Sequence, residues 1–349
     1  VVFTTPIPAA LARRFPGCRI TYLVEAAAAP VVRHLPDIHD LIVAERPRGL
    51  GRLAYDLRLM RDLRSRRVDV AIDLHGGPRA ALLTRASGAT RRIGYDIPGR
   101  TWAYTDRVPW TPSLVPPRHS VLNQWDLLTP LGIGQAERIQ DAVRMPVPTG
   151  AATAVRARLR QAGVPDTAAL AVLHVSAGNP FRRWPADRFA ALAAALTAGP
   201  HALHVVITSG PSDADAAAAV TDAARRLSGA TADRIVRAGE FDLTELAVLV
   251  GLARLYVGGD SGPLHVAGTT RTPIVALFGP TLPERSMPWR DPAIPAISVD
   301  AGPLPCRPCH QRTCVTGDFR CLMDISVGQV VDACRRALEV PLHPDVSRP

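Results

Sequence analysis

The sequence predicts an α/β protein built from two doubly wound, Rossmann-like domains facing a cleft, and three observations lead there. Short apolar runs of β-type alternate with helical patterns along the whole chain, the order that builds parallel sheets covered by helices. At 349 residues the chain is long enough for two cores of ordinary size. A Pro-containing stretch, Met145-Pro146-Val147-Pro148-Thr149-Gly150, reads as the connection between them and gives domains 1–148 and 149–349.

In the first half, a helix over Pro6–Phe15 stops at Pro16-Gly17 and precedes a strand at Arg19–Val24. A second strand is expected at Val68–Asp73, and weaker runs surround Arg92–Gly94 and Tyr104–Val108. The second half repeats the pattern more clearly. Strands are expected at Leu170–Val175, His204–Thr208, Arg234–Arg237, Leu255–Val257, Ile274–Phe278 and Ala296–Val299. Helices are expected at Asp187–Leu196, Asp213–Leu227, Leu243–Ala253 and Ser326–Leu338.

Hydrophobic residues make up 47% and charged residues 21%, the balance of a globular chain. No apolar run reaches the roughly 18 to 20 residues that span a bilayer. No secretory signal is visible, and because Val1 is not a Met the natural start is expected upstream. The formal charge is +10 and every basic residue is Arg. Arg and Ala enrichment without Lys reflects a GC-rich genome, so no nucleic-acid partner is inferred from it. One region stands apart. Arg46, Arg48, Arg52, Arg58, Arg61, Arg64, Arg66 and Arg67 face only Asp56 and Asp62 within the same stretch. Leu53, Leu57, Met60 and Leu63 recur at helical spacing, so an amphipathic helix with a basic outer face is expected. It is either a solvated face or, over Arg52–Arg67, a surface for anionic lipid headgroups or a phosphorylated glycolipid.

The most informative stretch is Gly258-Gly259-Asp260-Ser261-Gly262-Pro263-Leu264-His265. It ends the apolar run Leu255-Tyr256-Val257 and opens a short helical pattern, Leu264 to Thr270. A strand that breaks at glycines and feeds a helix gathers free N–H groups and a positive helix end at one point. That is an anion site, and a diphosphate is its usual occupant. Asp260 cannot bind phosphate and is assigned to sugar hydroxyls; Pro263 suits a first helical turn, where its missing N–H costs nothing. Together these residues describe a pocket for a nucleotide sugar. Gly259-Asp260-Ser261-Gly262-Pro263 also looks like the nucleophile segment of chymotrypsin-like proteases, but those are all-β and need a separate His and Asp. A dinucleotide-dependent oxidoreductase would need Gly-x-Gly-x-x-Gly after a first strand, and none is present.

Cys306, Cys309, Cys314 and Cys321 are clustered, with Cys18 and Cys334 elsewhere. Three readings stand open: reduced thiols packing a loop, a four-thiolate zinc site with His310 as a spare ligand, or a disulfide pair.

The chain resembles the glycosyltransferases of family 9, the ADP-heptose:lipopolysaccharide heptosyltransferases of GT-B fold. The residues that carry the resemblance are Thr5-Pro6, Asp73-Leu74-His75-Gly76, Arg92-Ile93-Gly94-Tyr95, Arg182-Arg183-Trp184-Pro185, Asp260 to His265 and Leu277-Phe278-Gly279-Pro280-Thr281. It implies an inverting transfer of L-glycero-D-manno-heptose from ADP-heptose to a lipopolysaccharide core acceptor, with no metal and no cofactor. Arg182 stands where the family has a Lys on the diphosphate; the alternative is an exposed loop arginine. Ser261 and Gly262 would offer N–H groups to the diphosphate, and Gly279, Pro280 and Thr281 would line the nucleotide pocket. His265 would lie near phosphates or sugar, or pack as a helix histidine. Asp213 or Ser212 is a loose match for the ribose contact, and Asp213 is an equally good helix N-cap. His75 and Gly76 would serve the acceptor side, with His119 as a further candidate. The family's general base, an Asp after the first strand, and that strand itself are expected ahead of Val1. A family 9 enzyme using another nucleotide sugar, or a non-catalytic nucleotide-sugar-binding homologue, are the alternatives. The resemblance implies a cytoplasmic enzyme, peripheral at the inner face of the inner membrane.

Overall fold

The computed structural model describes residues 1–49, 51–110, 117–309 and 311–340. Internal contacts divide the chain into two units, one of Val1 with Phe3–Asp141 and one of Val2 with Ala142–Pro349. The stretch Met145 to Gly150 falls in the second unit.

In the first unit, β1 (Thr21–Glu25) pairs in parallel with β2 (Asp40–Ala44), Leu23 opposite Ile42. The strands β3 (Val70–Ile72), β4 (Arg91–Asp96) and β5 (Asp106–Pro109) form a separate parallel sheet in that order. Two parallel sheets are therefore described in this unit. Among the described residues five α-helices accompany these strands: α1 (Pro6–Arg14), α2 (Ala29–Val32), α3 (Gly51–Ser65), α4 (Pro78–Ala86) and α5 (Ser120–Trp125). Proline sits in the first turn of α1, and Ile7 and Ala10 of that helix pack with Trp125 and Leu128. The face that α3 buries differs from the expected one. Leu59 is its buried residue, and Met60 and Leu63 pack beside it, whereas Leu53 is 66% and Leu57 43% exposed. Leu59 lies on the side facing Ala44 and Leu83, and tertiary contact overrides the stripe drawn from spacing alone.

The second unit holds one six-stranded parallel sheet, β6 (Leu170–His174), β7 (His204–Thr208), β8 (Ile235–Val236), β9 (Leu255–Gly259), β10 (Ile274–Phe278) and β11 (Ala296–Asp300). The spatial order is β11-β10-β9-β6-β7-β8. Its helices are α6 (Ala151–Gln161), α7 (Ala186–Ala198), α8 (Ala214–Ser228), α9 (Leu243–Leu252), α10 (Gly262–Ala267), α11 (Pro283–Ser286), α12 (Arg320–Met323) and α13 (Val327–Glu339). Alternate residues of each strand feed opposite faces. Leu173, Val257, Val275 and Leu277 join the core that contains Phe189 of α7 and Val220 of α8, while Val172, Tyr256, Ile274 and Phe278 join Val155 of α6 and Leu249 of α9. Full capping boxes, Asp242 with Glu245 and Ser326 with Gln329, start α9 and α13. The chain winds outward from β6 through β7 to β8, then returns to β9 on the other side and winds through β10 to β11. That reversal is a topological switch point, and ligands of such sheets sit beyond the strand ends there.

Candidate functional site

Asp260 follows directly on β9, at the switch point. The last residue of β9 requires glycine, because a Cβ on Gly259 would stand 2.9 Å from the carbonyl oxygen of Arg182. This close approach lets the short helical turn Pro180–Arg182 lie against the strand end. Asp260 is only 3% exposed and is held on several sides. Its N–H donates to the Leu277 carbonyl at 3.2 Å, and Thr281 Oγ1 donates to its Oδ2 at 2.7 Å. Arg182 Nη1 donates to its carbonyl oxygen at 3.0 Å and lies 3.3 Å from Oδ2. The other carboxylate oxygen, Oδ1, and the neighbouring Ser261 Oγ are buried without a hydrogen-bond partner among the described residues. Buried polar atoms of this kind are rare in native proteins and each asks for a partner.

His265 Nε2 comes within 3.6 Å of Asp260 Oδ1. This is not an ion pair at neutral pH, because burial pushes the His265 pKa down to about 4 despite the opposing pull of Asp260. A neutral imidazole beside a carboxylate remains a hydrogen-bonding group without contributing charge. Positive charge at the site therefore comes from Arg182, whose Nη2 makes no hydrogen bond within the described residues. The helix end adds less than the sequence suggests, since α10 spans only six residues. Ser261 is its extended N-cap residue, with φ −150°, and makes no side-chain cap, so its hydroxyl is not used by the helix.

The turn Gly279-Pro280-Thr281 closes the strand end of β10 next to Asp260 through the Thr281 hydrogen bond. A Cβ on Gly279 would stand 2.6 Å from the Leu322 side chain, which would have to shift. A second layer that sequence reasoning missed braces these groups. Gln311 Oε1 accepts from Arg182 Nε at 2.6 Å and from Asn179 Nδ2 at 3.2 Å. Arg307 Nη2 donates to the Thr281 carbonyl at 2.8 Å, and the Cys309 N–H donates to that of Pro280 at 3.2 Å. No local signal could reveal Gln311, which lies 129 positions from Arg182. A buried chain of polar groups was missed as well: His174 joins Thr208 Oγ1 and Ser176 Oγ, each at 3.1 Å, and Ser176 Oγ accepts from the Gly210 N–H. Burial drives the His174 pKa down to about 4.

All six cysteines are free thiols. Cys306, Cys309, Cys314 and Cys321 line one small cavity, and burial together with the other three cysteines pushes the Cys321 thiol up to about 11. Among the described residues, no three His, Cys, Asp or Glu side chains already converge on a metal position. His310 lies outside the described residues.

Asp213 precedes α8 but makes no side-chain cap; its carboxylate pairs with Arg183 at 2.9 Å instead. Trp184 is buried, stacks edge-on against Phe189 and donates from Nε1 to the Ile325 carbonyl at 3.0 Å, so it anchors the loop in the core. In the first unit, His75 and Gly76 form a turn whose N–H groups both donate to Asp73 Oδ1, at 2.9 and 2.8 Å. Tyr104 donates to Asp73 Oδ2 at 2.7 Å, and Gly76 takes the positive φ of +68° that this turn needs. His119 is buried and caps α5 through Nδ1, a structural role.

Residues 56–319 match the profile of Glycosyltransferase family 9 (heptosyltransferase). The chain is 28% identical to lipopolysaccharide heptosyltransferase 3 of Escherichia coli over 319 residues, 89% of each chain. Its fold is similar to that of a family 9 glycosyl transferase from Veillonella parvula DSM 2008, with a TM-score of 0.77, 22% identity, and 97% of this chain and 93% of the other covered. It is similar again to the ADP-heptose lipopolysaccharide heptosyltransferase II of E. coli, with a TM-score of 0.76, 19% identity, and 97% and 94% covered.

Proposed function

This chain belongs to glycosyltransferase family 9, and from that premise we propose that it moves L-glycero-D-manno-heptose from ADP-heptose to a lipopolysaccharide core acceptor, with inversion at the anomeric carbon. The acceptor hydroxyl oxygen bonds to that carbon as the bond to the β-phosphate oxygen breaks. The electron pair leaves with ADP and the hydroxyl proton passes to a base. The observation that carries this reading is the carboxylate of Asp260, pinned by Arg182 and Thr281 at the switch point, with Oδ1 and Ser261 Oγ buried and unpartnered beside it. Two unmet buried oxygens match the hydroxyls of a sugar, one acceptor for a donated proton and one group able to do either.

The other roles follow from charge and position. Arg182 supplies the cation that steadies the departing diphosphate, with the N–H groups of Ser261 and Gly262. Gly279, Pro280 and Thr281 line the nucleotide side, neutral His265 hydrogen-bonds phosphate or sugar, and Asp213 meets the ribose while Arg183 orients it. His75 and Gly76 serve the acceptor. On the first unit, the exposed Leu53 and Leu57 of α3 lie among Arg58, Arg61 and Arg64, apolar anchors within a basic field. That pairing suits a peripheral contact with anionic headgroups at the cytoplasmic face of the inner membrane. Among the described residues no helix is long and apolar enough to cross a membrane.

The test is ligand-induced thermal stabilisation with ADP, UDP, GDP, NAD and ADP-heptose at matched concentrations. A ligand that binds only the folded chain raises stability with the logarithm of its concentration over its Kd. ADP-heptose is expected to stabilise most and ADP next. A preference for UDP or GDP would keep the fold and overturn the heptose assignment.

A further inference from the structure

We propose that Gln311 is a positioning residue for donor binding. It sets the plane of the Arg182 guanidinium and so aims Nη2 at the diphosphate, a role that rests on Arg182 being the diphosphate cation of the proposed transfer. Arg182 ends the short turn Pro180–Arg182, and Asn179 closes that turn. The Asn179 carbonyl accepts from the Arg182 N–H at 3.0 Å, and Asn179 Oδ1 accepts from the Phe181 N–H at 3.0 Å. Asn179 Nδ2 then donates to Gln311 Oε1 at 3.2 Å, and Arg182 Nε donates to the same oxygen at 2.6 Å. One amide oxygen thus ties the side chain of Arg182 back to the turn that carries it. On the other side, Nη1 donates to the Asp260 carbonyl at 3.0 Å. A guanidinium is planar, so hydrogen bonds at Nε and Nη1 fix its orientation as well as its position. Nη2 makes no hydrogen bond among the described residues, on a side chain that is 30% exposed. A lysine at this position would carry the charge on one nitrogen, with no separate donor for Gln311 to hold.

The backbone of Gln311 singles out the same residue. Its φ is +57°, in the left-handed region where a side chain is strained and glycine is not. A glutamine held in that conformation carries a cost that its side chain must offset, and such residues gather at functional sites. The loop does not need Gln311 to stay in place. Arg307 Nη2 donates to the Thr281 carbonyl and the Cys309 N–H to that of Pro280, so the segment is anchored independently of the amide. What the amide adds is the direction of Arg182.

Gln311→Gly tests this, because it removes the amide while relieving the backbone. Its melting temperature should equal or exceed that of the parent chain. Its affinity for ADP, read by titration calorimetry, should fall roughly tenfold, the loss of about one hydrogen bond to a charged group. Gln311→Met, which keeps the length without the acceptor, should lose a similar factor. Arg182→Lys separates positioning from support of the loop. In that background Gln311→Gly should change ADP affinity by less than about twofold, since the bond between the two side chains is already gone. A tenfold loss in both backgrounds would make Gln311 a general support of the loop and overturn the proposal. Parent-like ADP affinity in folded Gln311→Gly and Gln311→Met would overturn it as well. Arg182→Ala should weaken ADP more than either Gln311 variant. If Arg182→Ala has no effect, or ADP does not bind at all, the donor-site reading fails and the positioning role falls with it. If Arg182→Ala weakens ADP while the Gln311 variants bind like the parent, the positioning role alone is overturned.

Discussion

The two units use the same parallel-strand chemistry and end with different interiors. Every residue of β6, β9 and β10 is buried, whereas β1 and β2 each bury one residue and β3 buries none. The second unit has six strands in one sheet with helices packed on both faces, so its central strands have neighbours on both edges and cover above and below. The first unit divides into sheets of two and three strands, and its small clusters are correspondingly separate. There, Asp73 sits under the His75 turn and Arg79 pairs with Asp56 at 2.6 Å. The site around Asp260 sits on the unit with the continuous sheet, at the ends of strands whose residues are all buried.

That contrast can be broken or sharpened experimentally. The largest effect is expected for Trp184→Ala, which should cost about 3–5 kcal/mol in denaturant unfolding, as for other large buried aromatics. Val43→Ala in half-exposed β2 should cost about 1 kcal/mol or less. Similar losses for the two would remove the distinction between the units. Trp184→Ala should also leave ADP affinity unchanged in folded protein, since its partners are Phe189 and Ile325.

Next comes acid. His174 and His265, both in the second unit, have folded pKa values near 4 against an ordinary 6.5. The unfolded chain therefore takes up protons between those values that the folded chain refuses. Their contribution is complete above pH 6.5 and is lost as pH falls toward 4, at most about 1.4 kcal/mol per pH unit for each histidine. Unfolding midpoints at pH 7 and pH 5 would check this, and His174→Gln should flatten the slope. An unchanged midpoint would refute it.

A smaller effect is expected for Asp260→Asn. It should weaken ADP-heptose by roughly 10- to 100-fold while changing ADP much less, as fits a carboxylate that meets the sugar. Equal losses, measured by titration calorimetry, would assign Asp260 to the nucleotide instead. The smallest stability change belongs to Leu53→Ser with Leu57→Ser on α3, each within about 0.5 kcal/mol. Those variants should nonetheless bind anionic vesicles less than the parent chain does, and equal vesicle sedimentation would refute the membrane role.

Some of this was legible before any coordinates. Ile274–Phe278 and His204–Thr208 match their strands to the residue, because runs of four or five apolar or β-branched residues between turn signals leave little choice. The glycines at 258 and 259 and the Asp that follows them correctly marked a strand end feeding a helix. By contrast β2, with Asp40 at its start and four residues half-exposed, lacks a clear period and went unseen. The Ala- and Arg-rich α6 was likewise hidden by the Pro-rich run before it. The exposed Leu53 fitted a helical stripe that its neighbours did not complete.

The sequence by itself determined the alternation of strands and helices, the family, and the cluster from Asp260 to His265, because each is written in residues adjacent along the chain. Tertiary structure alone decided which oxygen of Asp260 stays unpartnered, that His265 is neutral, that Asp213 pairs with Arg183 rather than capping α8, and that Gln311 holds Arg182. Those outcomes depend on burial and on contacts between distant segments, and neither desolvation nor a hydrogen bond across 129 positions leaves a mark in local sequence.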